Sequence, residues 1–104
     1  MIEYLKKSEY EKVIKEHEIV LIDFFASWCV PCKMTAIELE KLDEMNLNCK
    51  IYKVDVEKER DLASKFNVSS IPALFVVKDQ KPVRKALGYR SLESLKNMIN
   101  FDEN

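Results

Sequence analysis

Two cysteines three residues apart, Cys29 and Cys32, separated by Val30 and Pro31, are the residues of this chain best placed to do chemistry. The nucleophile in sulfur exchange is the thiolate, so the question is what favours the charged form of either thiol. Beyond the pair, Met34, Ile37, Leu42 and Met45 recur at helical spacing among Glu and Lys, which predicts a helix beginning near the cysteines. Cys29 would then lie at the helix N-terminus, where unpaired N–H groups and the positive dipole end lower a thiol's pKa. Pro31 suits the first turn, since its missing N–H would have no intrahelical partner there. The i, i+3 spacing places both sulfurs on one side of one turn, within the Cα separation of a disulfide. One cysteine can therefore attack a disulfide and the other can resolve the mixed disulfide that results. The competing reading is half of a zinc site. Zinc needs four ligands, and the only others of the usual kind are Cys49 and His17, so the helix start and Pro31 favour redox chemistry.

Asp23 is the next most informative residue. It interrupts the apolar run Val-Leu-Ile-Asp-Phe-Phe, where a carboxylate is expensive unless it is paired or protonated. The plainer reading is a bulge, or a strand with one face in water. The run itself, from Ile19 to Phe25, is too short to cross a membrane and is rich in β-branched and aromatic residues. It reads as a buried strand that passes through Ser27 and delivers the cysteines to the helix.

The remaining elements must hold this strand and helix in place. Ile2 to Leu5 reads as a short first strand. Ser8 with Glu11 reads as a capping box opening a helix with Tyr10, Val13, Ile14 and His17 on one face. His17, the only histidine, fits the negative end of that helix better than a catalytic or metal role. Cys49 to Val56 is expected as a strand parallel to the organising one, reached by a right-handed crossover. Cys49 is then a small free residue at a strand end. Glu59 to Phe66 follows as a short helix, with Asn67 in a left-handed cap and Val68 folding back. Ala73 to Lys78 and Pro82 to Leu87 form a hairpin turning at Asp79-Gln80, with Pro82 at a strand start or an edge. Ser91 caps a last helix with Leu92, Leu95 and Ile99 inward, and Asp102 to Asn104 should fray. The order β-α-β-α-β-α-β-β-α specifies an α/β fold, a mixed sheet with helices on both faces.

Composition bounds the function classes. At 104 residues the chain is expected to be one domain, residues 1–104. A formal net charge of −1 favours neither nucleic acid nor an anionic membrane as partner. Only one glycine occurs, where about seven would be usual, so turns must rely on Asn, Asp, Pro and Ser. Three cysteines, two of them in one motif, make no structural disulfide framework and suit a reducing compartment. The first residues carry no continuous apolar segment and no cleavage site, so a cytoplasmic location is expected.

The run Phe-Phe-Ala-Ser-Trp-Cys-Val-Pro-Cys-Lys, with Asp23 six residues before Cys29 and Ile71-Pro72 further on, resembles the thioredoxin family over nearly the whole chain. The resemblance implies the thioredoxin fold, a mixed five-stranded sheet flanked by four helices. It implies a protein-disulfide reductase with no cofactor beyond its own Cys29–Cys32 disulfide and no metal, working as a monomer. Its partners would be disulfide-containing client proteins and an NADPH-dependent flavoprotein, thioredoxin reductase. Residue by residue, the resemblance makes Cys29 the exposed attacking thiol and Cys32 the more buried resolving one. Asp23 becomes a proton relay to Cys32, with Lys53 on the neighbouring strand. Burial would raise the Asp23 pKa and Lys53 would lower it, with the balance open. Pro72 would be cis and face the cysteines, Ile71 would offer backbone hydrogen bonds to a substrate chain, and Trp28 and Gly88 would border the groove alongside Val30 and Pro31. Four residues depart from the family pattern: Val30 for a glycine, Ile37 for a helix-kinking proline, Gln80 for a hairpin glycine and Ala73 for a threonine. They bear on the potential, the bend of the helix and the turn type, and none removes a residue needed for exchange. The rival readings are an oxidase or isomerase of the same fold, and a binding module with a vestigial dithiol. Proline rather than histidine at position 31 counts against the first, and an intact Asp23 counts against the second.

Overall fold

The elements run β1 (Glu3–Tyr4), α1 (Lys7–Glu16), β2 (Ile19–Phe25), α2 (Val30–Glu44), β3 (Lys50–Asp55), α3 (Arg60–Lys65), β4 (Ala73–Lys78), β5 (Lys81–Leu87) and α4 (Leu92–Met98), in a computed structural model that describes residues 1–102. The five strands form one sheet in the order β1-β3-β2-β4-β5. β3 runs parallel to both β1 and β2, while β4 is antiparallel to β2 and β5 to β4. The expected fraying of Asp102 to Asn104 lies largely outside the described residues.

β2 is the central strand, and its alternation distributes the core. Val20, Ile22 and Phe24 point toward α1 and α3, packing with Tyr10, Val13, Ile14, Leu62 and Phe66. There the rings of Phe24, Phe66 and Phe75 stand with centroids 4.9 to 5.5 Å apart. Leu21 points the other way, into a cluster with Leu39 and Leu42 of α2 and Leu95 and Ile99 of α4. Asp23, two residues on, shares the face that α2 covers, near the strand end from which α2 departs.

One local expectation is corrected, and α2 buries a face that its apolar residues do not mark. α1 is not opened by Ser8 with Glu11: the cap is Lys6, whose N–H donates to the Glu9 carboxylate at 3.3 Å, and Ser8 lies inside the first turn. Leu5 donates to the Lys53 carbonyl at 2.8 Å, so the chain leaves the sheet and turns at once, two residues earlier than Ser8 suggests. In α2 the apolar residues that reveal the helix are mostly not its buried face, since Met34, Ile37 and Met45 are exposed. Cys32, Thr35, Leu39 and Leu42 are buried instead. The helix runs unbroken through Ile37.

The hairpin and caps follow the sequence more closely. Asp79 and Gln80 both take positive φ, 50° and 72°, the signature of a two-residue type I′ turn. Asn67 has φ 54°, and Val68 folds back to donate to the Ala63 carbonyl at 3.0 Å. Ser91 caps α4 by accepting from the Ser94 N–H at 3.2 Å. Pro82 lies on β5, the edge strand, beside a register shift between Val76 and Val77.

Candidate active site

Cys29 occupies the N-cap of α2, the last residue in extended conformation before the helix. Its sulfur accepts from the Cys32 N–H at 3.2 Å, the kind of orphan donor that a helix start leaves free for an anion. Cys29 and Cys32 are joined as a disulfide, with their Cα atoms 5.2 Å apart. Both sit in a small apolar nest with Ala26, edged by Phe25, Val56 and Ile71. The expected contrast between an exposed Cys29 and a buried Cys32 does not hold in this disulfide form, since their exposures are 5% and 3%. The parts that stand out into solvent are their neighbours, Trp28 at 65% and Val30 at 63%.

The Ile71-Pro72 bond is cis. Ile71 packs against the cysteine nest, and the Gly88 N–H donates to the Pro72 carbonyl at 2.8 Å. Trp28, Val30 and Pro31 flank the disulfide, Ile71 and Pro72 form a second segment against it, and Gly88 joins that segment through the hydrogen bond to Pro72. Trp28 is further held by Glu57, whose carboxylate accepts from the indole Nε1–H at 3.2 Å. Glu57 is a site neighbour that the sequence did not single out. It follows β3 in a turn that the Asp55 carboxylate ties down through the Glu57 and Lys58 N–H groups, and no local pattern links it to Trp28.

Asp23 is completely inaccessible, and neither of its carboxylate oxygens has a hydrogen-bond partner. Its register is uninterrupted on both sides, opposite Lys53 on β3 and Leu74 on β4, so the bulge and wet-face readings fall away. The balance left open by the sequence is decided by burial. Desolvation pushes the Asp23 pKa up to about 7, and the Lys53 charge pulls it down by less. Lys53 is not paired with Asp23. Its ammonium lies over the Phe25 ring, 4.6 Å from the centroid, and 6.0 Å from that of Tyr4. Among the described residues no group of three or more His, Cys, Asp or Glu is arranged to hold a metal. Cys49, just before β3, is a free thiol pushed up to about 12 by burial.

The thioredoxin family model matches residues 1–101. The chain belongs to the thioredoxin family. Among its relatives, the thioredoxin of Bacillus subtilis is 46% identical over 83 residues, which are 79% of this chain and 80% of that one. The thioredoxin of Listeria monocytogenes is 38% identical over 101 residues, 96% and 97% of the two chains. Among solved structures, Plasmodium falciparum thioredoxin superposes with a TM-score of 0.86 at 31% identity, covering 95% of this chain and 96% of that one. A thioredoxin variant from Halobacterium salinarum gives 0.87 at 31% identity, covering 94% and 86%. The expected fold is thus the observed one. This thioredoxin is a thiol–disulfide oxidoreductase, a protein-disulfide reductase whose redox group is its own Cys29–Cys32 pair and which needs no cofactor. Disulfide-containing proteins are the family's clients and thioredoxin reductase its usual recycling partner. No helix among the described residues is long and apolar enough to cross a membrane.

Proposed function

We propose that the Cys29 thiolate opens a client disulfide by attacking one sulfur, forming a mixed disulfide and releasing the other client sulfur as a thiolate. The Cys32 thiolate then attacks Sγ of Cys29, closing the Cys29–Cys32 disulfide and releasing the second client thiolate. The client gains two electrons and the protein loses two. Asp23 takes the proton from Cys32 in the second step. A carboxyl titrating near neutrality is poised to accept at cellular pH and give the proton up again. Lys53 tunes that carboxyl through space. Trp28, Val30, Pro31, Ile71, Pro72 and Gly88 form the groove that holds an extended client segment, with the Ile71 backbone hydrogen-bonding to it. The protein works as a monomer and single domain over residues 1–104 in the cytoplasm, recycled by a thioredoxin reductase that draws on NADPH.

The observation that carries this reading is the N-cap position of Cys29. Its sulfur already accepts a backbone N–H that would stabilise the thiolate of the reduced form. Cys32→Ser incubated with a disulfide-bonded client such as insulin should accumulate a covalent adduct on a non-reducing gel, whereas Cys29→Ser should form none and lose reductase activity. An adduct from Cys29→Ser and none from Cys32→Ser would reverse the two roles.

A further inference from the structure

Lys53 stands in a cross-strand row between Tyr4 of β1 and Asp23 of β2. Residues paired in register across parallel strands project from the same face, so a lysine there has two neighbours to choose from. An isolated buried carboxylate on one side would ordinarily capture the ammonium. Here the ammonium lies on aromatic faces instead, with the Tyr4 and Phe25 rings 6.0 Å apart and inclined at 51°. Among the described residues no carboxylate oxygen comes within 4.0 Å of it. Tyr4, Phe25 and Lys53 line a cavity of about 360 Å3 together with Ser27.

The other charged groups on that cavity are Lys6, Lys58, Asp55 and Glu59. Both acids are already engaged: Asp55 accepts from the Glu57 and Lys58 N–H groups, and Glu59 accepts from the Lys7 N–H at 3.1 Å. The elements on the other sides of Asp23 bring no further charge to it. β4 contributes Leu74, and α2 has no acid in its first turn, where its one charged residue, Lys33, is exposed. Among the described residues Lys53 is accordingly the one charge that acts on Asp23.

We propose that Tyr4, outside the redox motif, is a positioning residue for the proton chemistry at Asp23. Its ring, with that of Phe25, clamps the Lys53 ammonium at the cavity, near enough to act on Asp23 through space and held off from forming an ion pair with it. This rests on the reading of Asp23 as the proton acceptor of Cys32, because an Asp23 locked into an ion pair would stay ionised at neutral pH and lose that role. Tyr4 itself is 67% exposed, so its ring adds little to the core and its replacement leaves the fold intact.

The test is the titration midpoint of the Asp23 carboxyl, read by 13C NMR in the oxidised protein, where neither cysteine of the pair titrates. Tyr4→Leu keeps the bulk and removes the π face. Phe25, on the same strand as Asp23, is already the nearer face at 4.6 Å, so with Tyr4 gone nothing draws the ammonium back across the row; it moves toward Asp23 and the midpoint falls by about half a pH unit or more. Tyr4→Phe keeps the ring and should keep the midpoint. In a Lys53→Met background, where the midpoint starts higher than in the parent, Tyr4→Leu should have no effect. An unchanged midpoint in Tyr4→Leu overturns the proposal, as does a fall that persists without Lys53, since the ring would then act only by excluding water. This readout needs no turnover, so it is separate from the reductase reading, which fails if the parent protein does not reduce a protein disulfide.

Discussion

Removing the Asp23 carboxyl should stabilise the protein at alkaline pH, although it empties part of a packed core. Burial lifts this carboxyl from an ordinary value of 3.8 to about 7, and neither oxygen has a hydrogen-bond partner to offset the loss of water. The unfolded chain releases the proton near pH 4 while the folded one holds it until about pH 7. Folding therefore loses stability as pH rises through that window, and the loss is complete above it. A displacement of about 3 units corresponds to roughly 4 kcal/mol at 1.36 kcal/mol per unit. Asp23→Ala gives up packing worth about 1 kcal/mol and removes the whole pH-dependent penalty. The variant should be about 3 kcal/mol more stable than the parent at pH 9, with the advantage gone at pH 4. Asp23→Asn, which preserves the shape, should show the same flat profile between those limits. Urea unfolding of the three proteins in steps from pH 4 to 9 measures this directly. An Asp23→Ala variant less stable than the parent at pH 9 would mean that Asp23 is ionised and well paired in the folded protein. The proton-acceptor role would then lose its basis.

Two further outcomes follow from particular residues. Gln80 holds φ 72° in the hairpin without being glycine. Gln80→Gly should therefore raise stability by about 1 kcal/mol in the same urea assay, and a loss of stability would show that the side chain contributes more than the strain removes. Trp28 is largely exposed beside the disulfide and held by Glu57. Trp28→Ala should lower kcat/KM for a protein disulfide about tenfold, the loss of a single anchoring contact of about 1.4 kcal/mol, while leaving unfolding within about 0.5 kcal/mol. An unchanged kcat/KM would remove Trp28 from the proposed groove.

How much was legible in the sequence depended on whether the signal was local. β2 and β4 announce themselves as dense apolar runs, and the turn at Asp79-Gln80 and the cap at Ser91 are written in the residues that form them. The cysteine pair was readable because its spacing alone puts both sulfurs on one turn. α2 was found by its apolar residues, but those residues do not mark its buried face. The buried stripe contains a cysteine and a threonine, Cys32 and Thr35, while Val30, Met34 and Ile37 form an exposed apolar ridge, so counting hydrophobic residues points the wrong way. The start of α1 was misplaced because a serine is a stronger local cap signal than Lys6, and the tether from Leu5 to Lys53 that fixes the turn is a tertiary contact. Asp23 could be recognised as anomalous, but not the sign of its pKa shift. That depended on how completely the fold buries the carboxyl, a desolvation that outweighs the opposing Lys53 charge. Glu57 was invisible for the same reason, joined to Trp28 only through the fold.

The central claim is that the dithiol at the head of α2 is a reductant, and its equilibrium potential tests that claim most directly. Cys29 and Cys32 would be titrated in glutathione buffers of known ratio, with the oxidised and reduced forms resolved by thiol trapping. On the general scale, thioredoxins themselves mark the reducing end at about −270 mV and strong disulfide oxidants lie near −120 mV. With Pro31 retained and no histidine between the cysteines, the midpoint should fall near the reducing end. A midpoint near that of the oxidants would contradict the account and make the protein a donor of disulfides.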